Sequence, residues 1–391
     1  MINQTRRRLL HYGLFSAGAG IIGIISSACT RLAFDPAILA EPDNNGLRLL
    51  PGFTSRVIAR SGEAPTPRSD YRWHAAPDGG ATFVTQDNGW RYVSNSEINH
   101  GGGGVGAIVF DKNGQIIDAY SILQNTSRNC AGGATPWDTW LSCEEIKHGR
   151  VWEGDPFGKP TAMGSHALGI CNTEAVAVDP IRQHIYLTED KRDSRLYRYS
   201  TTSQTSSVWS RDNRPALTDG KLEVAQVLNT GKVTWHEIPD PGGKSIATRH
   251  QVPQSTAFKG GEGIVYHNSL IYFSTKHDNR IWRYDTTSQM ISILYDDDFF
   301  NPAILRGVDD VIVSPNGRIL VAEDGDDQQI VSITQEGQVM PVVQMMGHQN
   351  SEVTGLAFSP AGDRFYFSSQ RGTSGRSRDG ITFEISGPTF L

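Results

Sequence analysis

Cysteine is scarce in this chain of 391 residues, with four in all. Cys29 closes the N-terminal segment, so at most one disulfide could form among Cys130, Cys143 and Cys171. At least one thiol is left over, and a buried metal ligand is one use for it. Basic residues are not in excess either. The net charge is -6, without the basic face that nucleic-acid binding requires. No apolar run is long enough to read as a membrane span; the one from Tyr12 to Ile25 is short and interrupted by glycine. A nucleotide-binding loop, a Gly-x-Ser-x-Gly elbow and a His-Glu-x-x-His helix are all missing. His148, His166, His277 and His348 are scattered without metal spacing and read as surface or packing residues. The run Gly101–Gly104 reads as a flexible hairpin loop rather than an anion cradle.

What is present points to strands. Hydrophobic residues make up 38%, enough for a large core, and 41 glycines with 19 prolines favour short strands joined by turns. Residues 1–28 read as a twin-arginine signal peptide. Thr5-Arg6-Arg7-Arg8-Leu9-Leu10 is followed by the apolar run and by Ser26-Ser27-Ala28. The expectation is export to the periplasm or beyond, with the twin-arginine machinery as a partner. Cys29 is the place for a lipid anchor, although Ser26 stands where a lipobox usually carries leucine. Residues 29–69 read as linker and lead-in, and 70–391 as one β-propeller.

The propeller rests on a repeat. Tyr92, Trp140, Tyr186, Tyr272, Leu320 and Tyr366 sit in equivalent strands at steps of 48, 46, 86, 48 and 46 residues. Such a period, with four short strands per unit, is a propeller signature. The 86-residue step reads as one blade with an insertion, because residues 201–255 are polar and lack a clean repeat. The fold class is therefore all-β, a six-bladed β-propeller behind an N-terminal signal segment. A stacked solenoid is the alternative, but ring closure protects strand edges better.

Acids recur in phase with the blades: Glu97, Glu144 and Glu145, Glu174, Glu189 and Asp190, Glu262, Glu323 and Asp324, Glu352. A single such acid normally sits in a solvated turn. Repeated at one end of a ring, they would repel and take up protons unless cations neutralise them. The strand Thr139–Cys143 delivers Glu144 and Glu145 to one sheet end, and a turn before it brings Cys130 back toward the same place. A soft thiolate beside hard carboxylates suits a transition metal next to a cation such as Ca²⁺. On spacing alone, a packed Cys130 with two solvated acids stays open.

The motif Asn129-Cys-Ala-Gly-Gly-x-Thr-Pro-Trp-x-Thr-Trp-Leu-Ser-Cys-Glu-Glu145 resembles the hallmark of PhoX-type alkaline phosphatases. Tyr92-Val-Ser-Asn-Ser-Glu97, Glu174-Ala-Val-Ala-Val-Asp-Pro180, Tyr186-Leu-Thr-Glu-Asp190, Gly261-Glu-Gly263 and Ser368-Ser-Gln-Arg-Gly372 match in the same order. The resemblance implies a phosphomonoesterase with two iron ions and calcium at one end of the axial channel, acting on a small phosphoester; a monomer is the expected state. By motif position Cys130, Glu145, Glu174 and Glu262 match the iron ligands. Asn95, Glu97, Glu144, Glu323 and Asp324 are the calcium candidates. The chain departs from the family pattern at Gly260 and over Gly169–Glu174, where basic residues are expected. Arg128 or Lys259 is then expected to supply the catalytic cation, with Arg371 a further candidate. Another metallohydrolase, lactonase-like or phosphodiester-cleaving, or a non-catalytic propeller binding a partner would fit the same scaffold.

Overall fold

The computed structural model describes residues 38–158, 163–165, 167–202, 207–325 and 327–387. The expected signal peptide at 1–28, Cys29 and His166 lie outside the described residues. Six antiparallel sheets follow one another along the chain and close into a ring. Their innermost strands are Pro77–Val84, Asn129–Ala134, Thr173–Asp179, Gly261–His267, Val308–Val313 and Val353–Phe358. Each packs against the next, and the sixth packs against the first. The second strands are Trp90–Ser96, Trp140–Glu144, His184–Glu189, Leu270–Thr275, Ile319–Glu323 and Arg364–Ser369, which carry the repeat read from the sequence.

The expected lead-in belongs to the propeller. Thr54–Arg60 pairs with Ile381–Ser386 as the outer strand of the sixth blade, and Leu47–Leu49 pairs with Val339–Met345 on the fifth. An early segment thus completes the last blade, so ring closure joins distant parts of the chain. The 86-residue step is one blade. The third sheet has five strands, and residues 238–260 run outside it before the fourth begins.

The phased aromatics are the cement between blades. Tyr92, Tyr186, Tyr272 and Tyr366 are buried, and the rings of Tyr92 and Tyr366 lie 5.1 Å apart where the ring closes. A buried phenol needs a partner, and these find one. Tyr92 donates to the Gly355 carbonyl at 3.0 Å, Tyr272 donates to Gln335 at 2.8 Å, and Tyr366 accepts from Trp90 Nε1 at 3.1 Å.

All six innermost strands carry a β-bulge at the same end, after Pro77, Asn129, Thr173, Gly261, Val308 and Thr354. A bulge sets two residues against one and re-aims a side chain. The first bulge residues are Asp78, Cys130, Glu174, Glu262, Asp309 and Gly355. The second must be small where a neighbouring strand presses close. A Cβ on Gly79 would stand 2.5 Å from the Ala131 Cα, and one on Gly263 would stand 2.6 Å from the Val311 nitrogen. Backbone atoms cannot step aside as a flexible side chain does. Gly79→Ala is therefore expected to lower stability by about 1–3 kcal/mol, read from denaturant midpoints. An unchanged midpoint would show that the blades do not meet this closely.

Candidate metal centre

The bulges and the strand ends build the site in two layers. The first layer is Asp78, Cys130, Glu174, Glu262 and Asp309, each thrown toward the axis by its bulge. The second layer consists of the residues just past the second strands: Glu97, Glu145, Asp190, Lys276, Asp324 and Gln370. In the sixth blade Gly355 occupies the bulge, and Glu352, three residues earlier, supplies the carboxylate.

Ligand-type atoms fall into linked groups, each with its members within 4.8 Å of one another. Glu97, Cys130 and Glu145 form one; Asp78, Glu97 and Glu352 a second; Asp309, Asp324 and Glu352 a third; Glu174, Glu262 and Asp309 a fourth. Glu97, Glu352 and Asp309 are shared, so the four groups are one continuous centre. The only soft donor among them is the Cys130 sulfur, 3.6 Å from Asp78 Oδ2. The thiolate set suits a transition metal and the all-oxygen sets suit hard cations.

Basic groups offset only part of this charge. Arg128 forks between Glu97 and Glu145. Lys276 reaches Asp324 at 2.6 Å, Asp309 at 3.1 Å and Glu262 at 3.9 Å. Arg371 bonds Glu352 at 2.9 Å, and Gln370 donates to Asp78 at 2.6 Å and Glu97 at 3.0 Å. Burial works against the charge on Lys276, but Asp309, Glu262 and Asp324 outweigh it and raise its pKa. The carboxylates still outnumber the cations. Burial, then mutual repulsion, pushes the carboxyls of Asp78 and Glu174 well above the usual range. Glu262 and Glu352 are raised in the same way, and Glu145 is pushed up to about 7. Burial, with Asp78 and Glu174 next, also raises the Cys130 thiol. Two buried oxygens at the centre, Glu262 Oε1 and Gln370 Oε1, accept no hydrogen bond. Glu262 Oε1 has the Lys276 ammonium only at 3.9 Å and carboxylates around it, which a bound cation would satisfy, so the residues present fit a metal cluster.

Of the expected ligands, Cys130, Glu145, Glu174, Glu262, Glu97 and Asp324 meet here, at one mouth of the ring. Three others are not brought in. Asn95 is fully buried and spends its amide on protein: Nδ2 donates to the Cys130 and Ala131 carbonyls, and Oδ1 accepts from Trp140 and Ser142. It fixes the bulge that aims Cys130. Glu144 accepts the Ser127 and Arg150 N–H groups at 2.9 and 3.2 Å. Glu323 accepts those of Arg306 and Gln329 at 2.8 and 3.0 Å. Both are the last residues of second strands. They tie neighbouring loops, while the next residue, Glu145 or Asp324, turns inward. Arg128 is at the centre as expected. Lys259 is not: its side chain is 62% exposed, and its nearest acid is Asp278 at 4.0 Å.

Sequence reasoning missed Asp78, Asp309 and Lys276 and left Glu352 unassigned. A signal existed for the acids. Asp309 stands six residues before Pro315, as Cys130 does before Pro136 and Glu174 before Pro180. Asp78 heads Gly-Gly-Ala-Thr, as Cys130 heads Ala-Gly-Gly-Ala-Thr. Lys276 had no sequence signal, but its place is physical. Its N–H donates to the Gly260 carbonyl at 2.9 Å, beside the position where a basic residue was expected.

These features define a six-bladed propeller with an acid-and-thiol centre on its axis. The chain belongs to the alkaline phosphatase PhoX family, whose model matches residues 53–163, 146–280 and 295–372. Among solved structures it is similar to Pseudomonas fluorescens PhoX in complex with vanadate, a transition-state analogue. The identity is 17%, over 91% of this chain and 98% of that one, with a TM-score of 0.74. A protein of unknown function from Bacteroides thetaiotaomicron is 9% identical over 85% of this chain and 76% of that one, with a TM-score of 0.52. A Xanthomonas campestris gluconolactonase is 12% identical over 91% and 94%, with a TM-score of 0.46. No curated protein matches the chain.

The raised carboxyls give a pH signature. The Glu145 pKa lies near 7 in the cation-free fold, against its ordinary 4.5. The folded state therefore binds more protons than the unfolded chain between those values, and stability falls as pH rises through that window. Cation-free protein is expected to melt at progressively lower temperature from pH 4.5 to 7.5, with the loss reversed by added Ca²⁺. A melting temperature that rises over this range after chelation would contradict the crowding.

Proposed function

We propose that the protein is a metal-dependent phosphomonoesterase, with a pair of iron-type ions held by Cys130, Glu145, Glu174 and Glu262 and calcium held by the remaining acids. The reading rests on one observation: buried carboxylates and the Cys130 sulfur converge on the axis in a chain of the alkaline phosphatase PhoX family. Glu97 and Asp324 stay calcium candidates, and Asp78, Asp309 and Glu352 take the places of Asn95, Glu144 and Glu323. When bound, such cations polarise phosphoryl oxygens and offset the charge that develops in phosphoryl transfer.

The chain's own residues orient this chemistry. Arg128 holds Glu97 and Glu145 in place and sets a guanidinium at the mouth of the centre. Lys276 clamps three first-layer and second-layer carboxylates from the strand end beside Gly260 and takes the part expected of Lys259. Gln370 and Arg371 steady the acids of the first and sixth blades. Export through the twin-arginine route, in the folded and metal-loaded state, belongs to the same proposal and rests on Thr5–Leu10.

Elemental analysis joined to hydrolysis of p-nitrophenyl phosphate tests the reading. Iron, calcium and Ca²⁺-dependent turnover are expected. Cys130→Ala and Glu262→Ala should each lose iron and activity; unchanged iron in both would reject the ligand assignment. Lys276→Met is expected to lower kcat by about 10²–10³-fold, with Lys259→Ala near wild type. Calcium without iron and without turnover would leave the cluster a structural one.

A further inference from the structure

The irregular stretch of the third blade is not used by the metal centre, yet it folds back over the same mouth. Residues 238–251 form a tied-down wall. Asp240 accepts the N–H groups of Gly242 and Lys244 at 3.0 and 2.9 Å, and Gln251 bonds the Asp240 backbone and the Ile246 carbonyl. The Ile170 N–H donates to the Pro241 carbonyl at 2.9 Å, which docks the wall onto the link between the second and third blades. Arg249 anchors it from below through Glu189 at 2.9 Å.

Between this wall and the ring lies a recess of about 620 Å³. Lys147, Lys191, Lys244, Arg249 and His148 line it, and among the described residues no carboxylate does. Arg249 is neutralised by Glu189 and Asp193. Lys191 donates to the Asp190 backbone carbonyl at 2.7 Å, and its charge also acts on Glu145 and Glu189. Lys147 and Lys244 are exposed and form no ion pair among the described residues. Lys147 and Lys244 thus bring two ammonium groups without an ion-pair partner among the described residues to a protein of net charge -6. The recess adjoins the metal centre directly. Asn172 in its lining bridges to Glu145, and Lys191 follows the axial Asp190.

We propose that this recess is a subsite for a second phosphoryl group, so that the preferred substrates are phosphomonoesters carrying another phosphate. The inference rests on the phosphatase reading above, since one phosphoryl must occupy the axial centre while the other meets the lysines. Ammonium groups bind such an anion as point charges, and a partly exposed recess makes the attraction sensitive to salt.

The cation-loaded enzyme is assayed on glucose 6-phosphate, glucose 1,6-bisphosphate and p-nitrophenyl phosphate. Wild type is expected to favour the bisphosphate over the monophosphate by about 10-fold in kcat/KM, mainly through KM. The preference should shrink when NaCl rises from about 0.05 to about 0.3 M. In the double variant Lys147→Gln/Lys244→Gln it should disappear, with turnover of p-nitrophenyl phosphate unchanged. Both side chains are exposed, and that unchanged turnover also reports an intact fold. Turnover of p-nitrophenyl phosphate with equal kcat/KM on the two sugars, or a preference that the double variant keeps, overturns the subsite alone. No turnover of any of the three by wild type overturns the phosphatase reading and the subsite with it.

Discussion

Repulsion among buried carboxylates on the axis is the constraint on which the rest of this structure turns. Asp78, Glu174, Glu262, Asp309 and Glu352 are aimed at one another from different blades, out of bulk water, with Glu97, Glu145 and Asp324 just beyond. Each would be costly alone. The fold keeps them together through rigid means: bulges in every innermost strand, small residues behind them, and Arg128, Lys276 and Arg371 as partial counter-charge. The remaining imbalance is what a bound cation would offset, so metal loading is expected to stabilise the ring.

Adjacent acids divide the work. Glu144 and Glu323 end their strands with both carboxylate oxygens on backbone N–H groups, and each is followed by an acid that faces the axis. Glu189 and Asp190 repeat the pattern, with Glu189 bound to Tyr197 and Arg249. Successive residues leaving a strand point to opposite sides, so a Glu-Glu or Glu-Asp pair yields one structural and one axial group. Alternation alone would set Asn95 and Glu97 on one side; the strand end at Ser96 separates them, with Asn95 locked in the blade and Glu97 past it at the centre.

The blade count and phase were readable because Tyr92, Tyr186, Tyr272 and Tyr366 fill the same inter-blade position, and packing demands the same bulk each time. The site was readable only where chemistry left a distinctive residue, as at Cys130 and Glu145. Asp78 and Asp309 were hidden among ordinary strand-edge acids, although the proline six positions after Asp309 marks its bulge. Lys276 was invisible because it follows an unremarkable strand, and only its backbone bond to the Gly260 carbonyl sets it beside the position where a basic residue was expected. The lead-in was misread for a related reason: an outer strand has no axial or inter-blade signature, and its partner lies more than three hundred residues away.

Periodicity and residue type alone determined that this chain makes six antiparallel sheets with acids gathered at one end, because each blade must satisfy the same packing locally. Which of two neighbouring acids faces the axis, which basic group stands among them and how the N-terminal strands lock the ring were decided by the tertiary structure. Those choices depend on bulge register and on contacts between distant strands, and linear spacing carries no record of either.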